Sequence, residues 1–500
     1  MSGCKENLTE SFSFSKEEKL ISETLYLTGY NFESENPLLV KNEINREIFS
    51  LIYDGLFSLD KNYVPVPQIA KSITMSDDCV NYTIEIREDI KFHDGTTLTA
   101  NDVVSTINYL KGNNTYYDYN VRQINSVKAN GKNKVLITLN KEAQNLSSLL
   151  TFPVVSAKDI IKDFNFNGNG RFKVENYIKR KTMTLTANEN YYNKTDMELK
   201  KISIQLMPDK ETANYSNASG LSDIYVYDIF ENADTSAPKT GATPKEYVSL
   251  NYNFLLINNA MPVFSDVNIR RAINMAIDKE YIVEDILFSH GVKVSNPIPE
   301  ESIFYNKEYD VEYSTEKAKK LIYDSGYTPN INTGVMEKET ENGVLSLSFN
   351  IMVNNDNNFR IQVANAIRDN LKSVGIEANV NIVSYEEYVS NYINKTYEAF
   401  VGAVPMAPDF DMTMFMGEYN ISNYYNEQSI RTLYAIGTTD DIKRKKEYYN
   451  ALLKIFRDDV PHISLYYTKA NLHSSSKIKK GIEPTGVNIF NNIENWSFNE

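Results

Sequence analysis

The sequence predicts an α/β chain with more than one domain, and two observations carry that expectation. Alternating strands such as Tyr82–Arg87, Lys134–Leu139 and Thr182–Ala187 are interleaved with capped amphipathic helices, a rhythm that argues mainly parallel connections. The 500 residues exceed what one hydrophobic core usually organises, so two or three domains are expected.

Glu6–Lys19 is polar and rich in Ser, Glu and Lys, without sustained periodicity, and reads as a tether. Glu23–Gly29 is the first strand. Asn45–Leu59 has helical spacing, with Ile48, Ile52 and Leu56 on one face. Lys91–Leu110 is the segment that organises the rest. A strand ends at Phe92, Asp94-Gly95 supplies a tight turn, and Thr99 caps a helix with Asp102 as its reciprocal partner. Val103, Val104, Ile107 and Leu110 form that helix's apolar face. Gly168 and Gly170, in Phe166–Val174, let the backbone turn. Leu250–Asn259 is an apolar strand. Ser265–Tyr281 is a helix capped by Asp266, and Ser314–Tyr327 another, stopped by Gly326. Phe359–Gly375 is a helix followed by the strand Ile376–Ile382. Asp440–Phe456 is a charged amphipathic helix, and Lys480–Trp496 closes the chain.

A net charge of −14 argues against a nucleic-acid surface. No run of about 18 apolar residues predicts a transmembrane helix. The two cysteines, Cys4 and Cys79, lie in no CxxC or His-partnered context, so neither a structural disulfide nor a metal or thiol-nucleophile site is expected. His93, His290, His462 and His473 form no i, i+4 pair. No nucleophile-elbow, phosphate-loop or dinucleotide pattern is present, so neither catalysis nor a cofactor is expected.

Several segments occur together in a recognisable order. Phe92–Val103 reads F-H-D-G-x-x-L-T-A-x-D-V, and Tyr53-Asp54-Gly55-Leu56 precedes it. Gly168 and Gly170 stand in a G-x-G-x-(Y/F)-K segment, with Asn169 and Arg171 where Thr and Pro are usual. Asn188–Tyr192, the R-x-A run of Ser265–Tyr281, Asn296–Pro299 and Ser314–Tyr327 follow. The set, spread from about Asn45 to Trp496, resembles the family 5 extracellular solute-binding proteins, the peptide- and nickel-type receptors of ABC importers. The resemblance implies a large type II periplasmic-binding-protein-like fold, two α/β lobes with an extra domain inserted in the first. Lobe I would comprise 20–50, 167–258 and 478–500, the insertion 51–166 and lobe II 259–477, after a tether over 1–19.

It also implies a monomeric receptor that captures oligopeptides between the lobes and delivers them to an ABC permease with its ATPase subunits. Met1-Ser2-Gly3-Cys4 ends like a lipobox from which the apolar part has been removed. Cys4 would then carry a lipid, anchoring the protein to the outer face of the cytoplasmic membrane in the Gram-positive manner. An Asp in lobe II that pairs with the peptide's α-amino group maps onto Val401–Phe415, where the family's Trp is missing. Ungapped alignment puts Pro408 at that Asp. Either a one-residue slip lets Asp409 serve, with Asp411 a second acid, or the anchor is lost. Val404, Met406 and Ala407 would pair with the peptide main chain. Lys41, Asn42, Glu43, Tyr116, Tyr117, Tyr119, Tyr252 and Asn253 are further candidate contacts by position. The alternatives are the same fold with a nickel chelate, a sugar oligomer or a specific signalling peptide, and, less favoured, an enzyme or chaperone-like surface protein on this scaffold.

Overall fold

The computed structural model describes residues 23–142, 146–161, 165–227, 230, 244–439 and 441–498. Cys4 and the Glu6–Lys19 tether lie outside them.

In chain order, β1 is Thr24–Tyr30 and α1 is Glu43–Ser50, capped by the Asn42 side chain. The segment that follows carries a hairpin, Phe57–Leu59 with Pro65–Pro67, and a four-stranded antiparallel sheet. That sheet is ordered Ala70–Met75, Asn81–Ile86, Lys134–Leu139, Ile124–Asn130, with α2 (Ala100–Gly112) against it. Then come β2 (Phe172–Ile178), β3 (Thr182–Ala187), β4 (Lys201–Met207), β5 (Ile224–Tyr227) and the long β6 (Lys245–Ile257). Beyond it lie α3 (Val267–Ala276), β7 (Gly291–Lys293), α4 (Thr315–Asp324), β8 (Ser348–Asn354), α5 (Asn358–Lys372), β9 (Glu377–Val383), β10 (Ala399–Pro405), α6 (Ile442–Asp459) and β11 (Ile463–Ser474).

One large sheet runs through the molecule in the order β9-β8-β10-β6-β11-β5-β1-β4-β3-β2, with β7 on β11. The parallel pairs are β1 with β4 and β5, and β8 with β9 and β10. The others are antiparallel, so the expectation of mainly parallel connections is corrected. Near the middle of the sheet, β6 and β11 pass antiparallel from one half to the other and need no helical crossover.

Three buried clusters explain the two halves. The first joins β1, β3 and β4 to the inserted sheet, to α2 and to the C-terminal Phe490, Ile493 and Trp496. The second and third lie among the elements from β6 onward, with Tyr63 as an earlier member of the third. One contains Ile269, Ile273, Ile351, Ile367 and Leu465, and the other Phe254, Phe400, Phe410, Phe415 and Leu452.

The capping chemistry appears as read. Gly95 has φ +86°, and Asp102 Oδ2 accepts from both the backbone N–H and the hydroxyl of Thr99, each at 2.8 Å. Ser314, Asp266 and Asp441 cap α4, α3 and α6.

Three expectations are corrected. The helix starting near Asn45 stops at Ser50, because the carbonyls of Leu51 and Ile52 accept from the backbones of Phe172 (2.9 Å) and Gly170 (2.8 Å) instead of continuing a turn. Gly168 and Gly170 serve close approach rather than a turn, since neither has a positive φ. They let the backbone lie against Ile52 within the first core, where a β-carbon on Gly168 would meet the Ile52 carbonyl oxygen at 1.9 Å. The helix predicted over Ser265–Tyr281 is broken at Ile277, which is extended (ψ 117°), and Asp278 caps a new turn.

Candidate functional site

The two halves are joined through β6 and β11, and their pairing is interrupted midway. Val248 pairs with Lys469 and Tyr252 with Tyr467, so residues 249–251 face Thr468 alone. The Ser249 and Thr468 hydroxyls lie 2.6 Å apart inside this bulge. A bulge loosens the ladder and bends the strand, here where β6 and β11 pass between the two halves.

β10, which pairs with β6 beside this bulge, runs into the turn that carries Asp409 and Asp411. β10 is fully paired with β6 over Asn251–Ile257, while β8 reaches only Ala399 and Phe400 on its other edge. Residues 401–405 therefore have one edge outside the β8 ladder. Val401 and Gly402 are buried and the Val401 carbonyl accepts the Tyr388 hydroxyl at 3.0 Å, so 403–405 is the stretch whose geometry suits an added extended strand. Pro405 contributes no donor to it. Val404 and Ala407 are half-buried. Met406 is 4% exposed, donates its N–H to the Leu250 carbonyl at 2.8 Å, and packs in the third cluster.

Phe410 stands between the two acids with a left-handed backbone, φ +51°. That turn brings the Asp411 N–H to the Asp409 carboxylate at 3.4 Å. The Asp409 carbonyl accepts from the Tyr449 hydroxyl of α6 at 2.8 Å. Asp409 is 9% exposed, and its carboxyl is pushed up to about 7. Burial is the main cause and the Asp411 charge adds to it, against opposing help from the Asp411 N–H and the Lys445 ammonium. A buried carboxyl beside a second acid is an electrostatic seat for a ligand cation.

Tyr119, from the inserted segment, reaches this turn and donates its hydroxyl to Asp411 Oδ2 at 3.4 Å. Burial and the two nearby carboxylates raise the Tyr119 phenol. The Arg122 guanidinium lies 4.2 Å from the Tyr119 ring centroid. Tyr116 is 55% exposed and meets Tyr117 edge to face at 5.4 Å, with the Arg46 guanidinium 3.5 Å from its centroid. Arg46 also donates to the Lys41 carbonyl, so Lys41, Arg46 and Tyr116 are brought together. Tyr117 turns inward against Phe152. Asn42 is occupied as the α1 cap, with Glu43 exposed in the first turn.

Two candidates on the crossing strand are buried. Tyr252 is wholly buried, its hydroxyl bonded to His462 Nε2 (2.8 Å) and Ser464 Oγ. Asn253 is 5% exposed, and its amide folds back onto the Asn251 carbonyl at 3.2 Å. Both lie on β6, whose apolar run already signalled a central strand.

Sequence reasoning missed Tyr63. It sits at the tip of the hairpin that follows Phe57–Leu59, with φ +63°, and its ring meets Phe410 edge to face at 5.0 Å. Its only local signal is the Asp60 turn, whose carboxylate accepts the N–H groups of Asn62 and Val64 at 2.8 and 2.9 Å.

A separate concavity of about 440 Å³ lies away from these acids, between the hairpin root, Tyr191–Tyr192 and the C-terminal segment. Asp54 lines it, bonded to the Tyr191 hydroxyl at 2.8 Å and pushed up to about 7 mainly by burial. Arg171 stacks over Tyr191 and pairs with Glu494 at 3.4 Å. Its charged groups thus answer one another across a junction of three segments. Among the described residues no group of three or more His, Cys, Asp or Glu is placed to hold a metal ion, and no helix is long and apolar enough to cross a membrane.

Residues 64–426 match the family model described as bacterial extracellular solute-binding proteins, family 5 Middle. The chain is 24% identical to the oligopeptide-binding protein AppA of Bacillus subtilis (strain 168), over 92% of this chain and 89% of that protein. It is 26% identical to the heme-binding protein A of Haemophilus influenzae, over 88% and 86%. The solved structure of HbpA2 from Haemophilus parasuis superposes with a TM-score of 0.79 at 18% identity, covering 95% of this chain and all of that one (100%).

Proposed function

Since the chain belongs to the family 5 bacterial extracellular solute-binding proteins, the substrate-binding components of ABC importers, we propose that it captures oligopeptides between its lobes and hands them to a membrane permease. The observation that carries this is the acid pair Asp409–Asp411, beside the open edge of β10 and near the β6–β11 bulge. A peptide has the two features such a site rewards. Its main chain can add to the 403–405 edge, and its α-ammonium can sit against the acids, a charge-assisted contact of about 1.5–3 kcal/mol. Ligand contact with both lobes stabilises the closed state, which the permease reads. Cys4 would tether the receptor at the cell surface, and it would act as a monomer.

A metal-chelate ligand is the second reading, favoured by the missing Trp of Val401–Phe415. It calls for a histidine at the cleft. Three of the four histidines are engaged elsewhere: His462 is enclosed beside Tyr252, His93 bonds the Gly170 carbonyl at 3.1 Å, and His473 stacks on Tyr225 at 4.8 Å. That leaves His290, half-buried beside β11 with its carbonyl accepting the Lys469 N–H at 2.8 Å, as the histidine this reading would need.

Mass spectrometry of molecules released by denaturing gently purified protein tests the proposal. A ladder of short peptides is expected. No peptide in the released fraction, together with no thermal shift from a peptide library, would overturn it.

A further inference from the structure

Two tyrosines from the inserted segment reach the 409–411 turn, Tyr119 at Asp411 and Tyr63 at Phe410. Tyr119 acts on a carboxylate directly. Tyr63 touches neither acid, yet it is 5% exposed, and it is the member of the third cluster that comes from before residue 252. Its hairpin is rooted at Leu56 and Phe57 in the first cluster, so the tip crosses from one packed body to the other.

Tyr63 and Phe410 both hold left-handed backbones, uncommon for bulky side chains, and such conformations persist only where the surroundings over-determine them. On the Tyr63 side the Asp60 carboxylate fixes the turn, and the Tyr63 N–H donates to the Asp60 carbonyl at 3.0 Å. On the Phe410 side the N–H donates to the Ala407 carbonyl at 2.8 Å, and Tyr449 anchors the Asp409 carbonyl. Those bonds hold the backbone of the turn from lobe II. The Phe410 ring is met by Tyr63 from the inserted hairpin. The Tyr63 hydroxyl in turn lies beside Gly486 and the Val248–Leu250 bulge: a β-carbon on Gly486 would stand 3.2 Å from that hydroxyl and 2.8 Å from the Val248 carbonyl oxygen.

On the reading of residues 409–411 as the ligand anchor, we infer that Tyr63 is a positioning residue, whose ring clamps Phe410 and thereby sets how Asp409 and Asp411 face each other. The hairpin tip, the acid pair and the β6–β11 bulge then form one mechanical unit. Swinging the lobes changes the pressure on Phe410, and so couples lobe angle to the quality of the cation seat.

The test is made on the full chain without ligand. Carboxyl-detected NMR titration follows Asp409, with Asp54 as an internal control that has no contact with the hairpin tip. Asp409 faces Asp411, Lys445, Tyr119 and Tyr449, and all of these are retained in every variant. In Tyr63→Leu and Phe410→Gly, Asp409 is expected to titrate lower than in the parent by about one unit or more as the turn relaxes and water enters, while Asp54 stays put. Tyr63→Phe, which keeps the ring, is expected to match the parent. An unchanged Asp409 titration in both Tyr63→Leu and Phe410→Gly overturns the inference, and so does a parallel shift of Asp54, which would mark general loosening. Calorimetry with trialanine separates the two claims. Tyr63→Leu should weaken its binding about tenfold and Tyr63→Phe should not. Absence of trialanine binding by the parent bears against the peptide proposal, and the titration alone then decides the role of Tyr63.

Discussion

Gly168 lies so close to Ile52 that a β-carbon on it would stand 1.9 Å from the Ile52 carbonyl oxygen, with backbone atoms blocking any retreat. Gly95 presents the opposite case, a φ of +86° with open space around it. Gly168→Ala is therefore expected to cost more than about 3 kcal/mol, as a clash that must move backbone, and Gly95→Ala about 1 kcal/mol of strain. Urea denaturation of the two variants checks the ranking. Equal effects would contradict the close-approach explanation.

Asp102 serves two segments at once. Its Oδ2 holds the Thr99 cap, and its Oδ1 accepts the Ala157 N–H at 2.9 Å. Thr99→Ala should cost about 1 kcal/mol, the ordinary loss of a cap. Asp102→Ala should cost about 2–4 kcal/mol, because it also leaves donors without an acceptor. Thermal melts followed by circular dichroism distinguish the two.

Arg270 is a buried guanidinium that donates to the carbonyls of Phe264, Ser265, Asp459 and Val460 at 2.7–3.3 Å, tying the start of α3 to the end of α6. Lysine has no planar fork and cannot serve these directions together. Arg270→Lys is expected to lower stability by about 2–4 kcal/mol, read from the urea midpoint, despite the retained charge.

Burial is the main cause that pushes the Asp409 and Asp54 carboxyls up from their ordinary 3.8 to about 7 in the folded chain. Between about pH 4 and 7 the folded chain binds more protons than the unfolded one, so these groups make stability fall as pH rises through that window and level off above it. Asp409→Asn should flatten part of this slope and stabilise the protein at pH 8 by about 2–4 kcal/mol. Urea midpoints from pH 4 to 8 for parent and variant provide the check. A parent stability that climbs steadily from pH 4 to 8, with the variant tracking it, would refute the assignment.

Much of the fold was legible because its signals are local. Thr99 with Asp102, Ser314 with Gly326, and Asp266 each announce a helix end within a few residues, and all three appear. The overextended helix at Asn45 failed for a non-local reason, since Leu51 and Ile52 give their carbonyls to residues more than a hundred positions later. The antiparallel crossing of β6 and β11 was equally invisible, because alternation along a strand does not encode its partner. At the candidate site, Asp409 and Asp411 could be read from position. The burial of Tyr252, the partnership of Tyr119 with Asp411 and the reach of Tyr63 depend on how distant segments meet.

The strand β11 lies in the middle of the large sheet although it is the last strand of that sheet in sequence. Ile478, Phe490, Ile493 and Trp496, later still, complete the first cluster. The first two hundred residues therefore lack part of their own core until residues 478–496 have been made, although β9-β8-β10-β6 on one side and β5-β1-β4-β3-β2 on the other can each pair before residue 463 appears. β11 is then the strand that docks last, between the edges of β6 and β5, and makes one sheet of two.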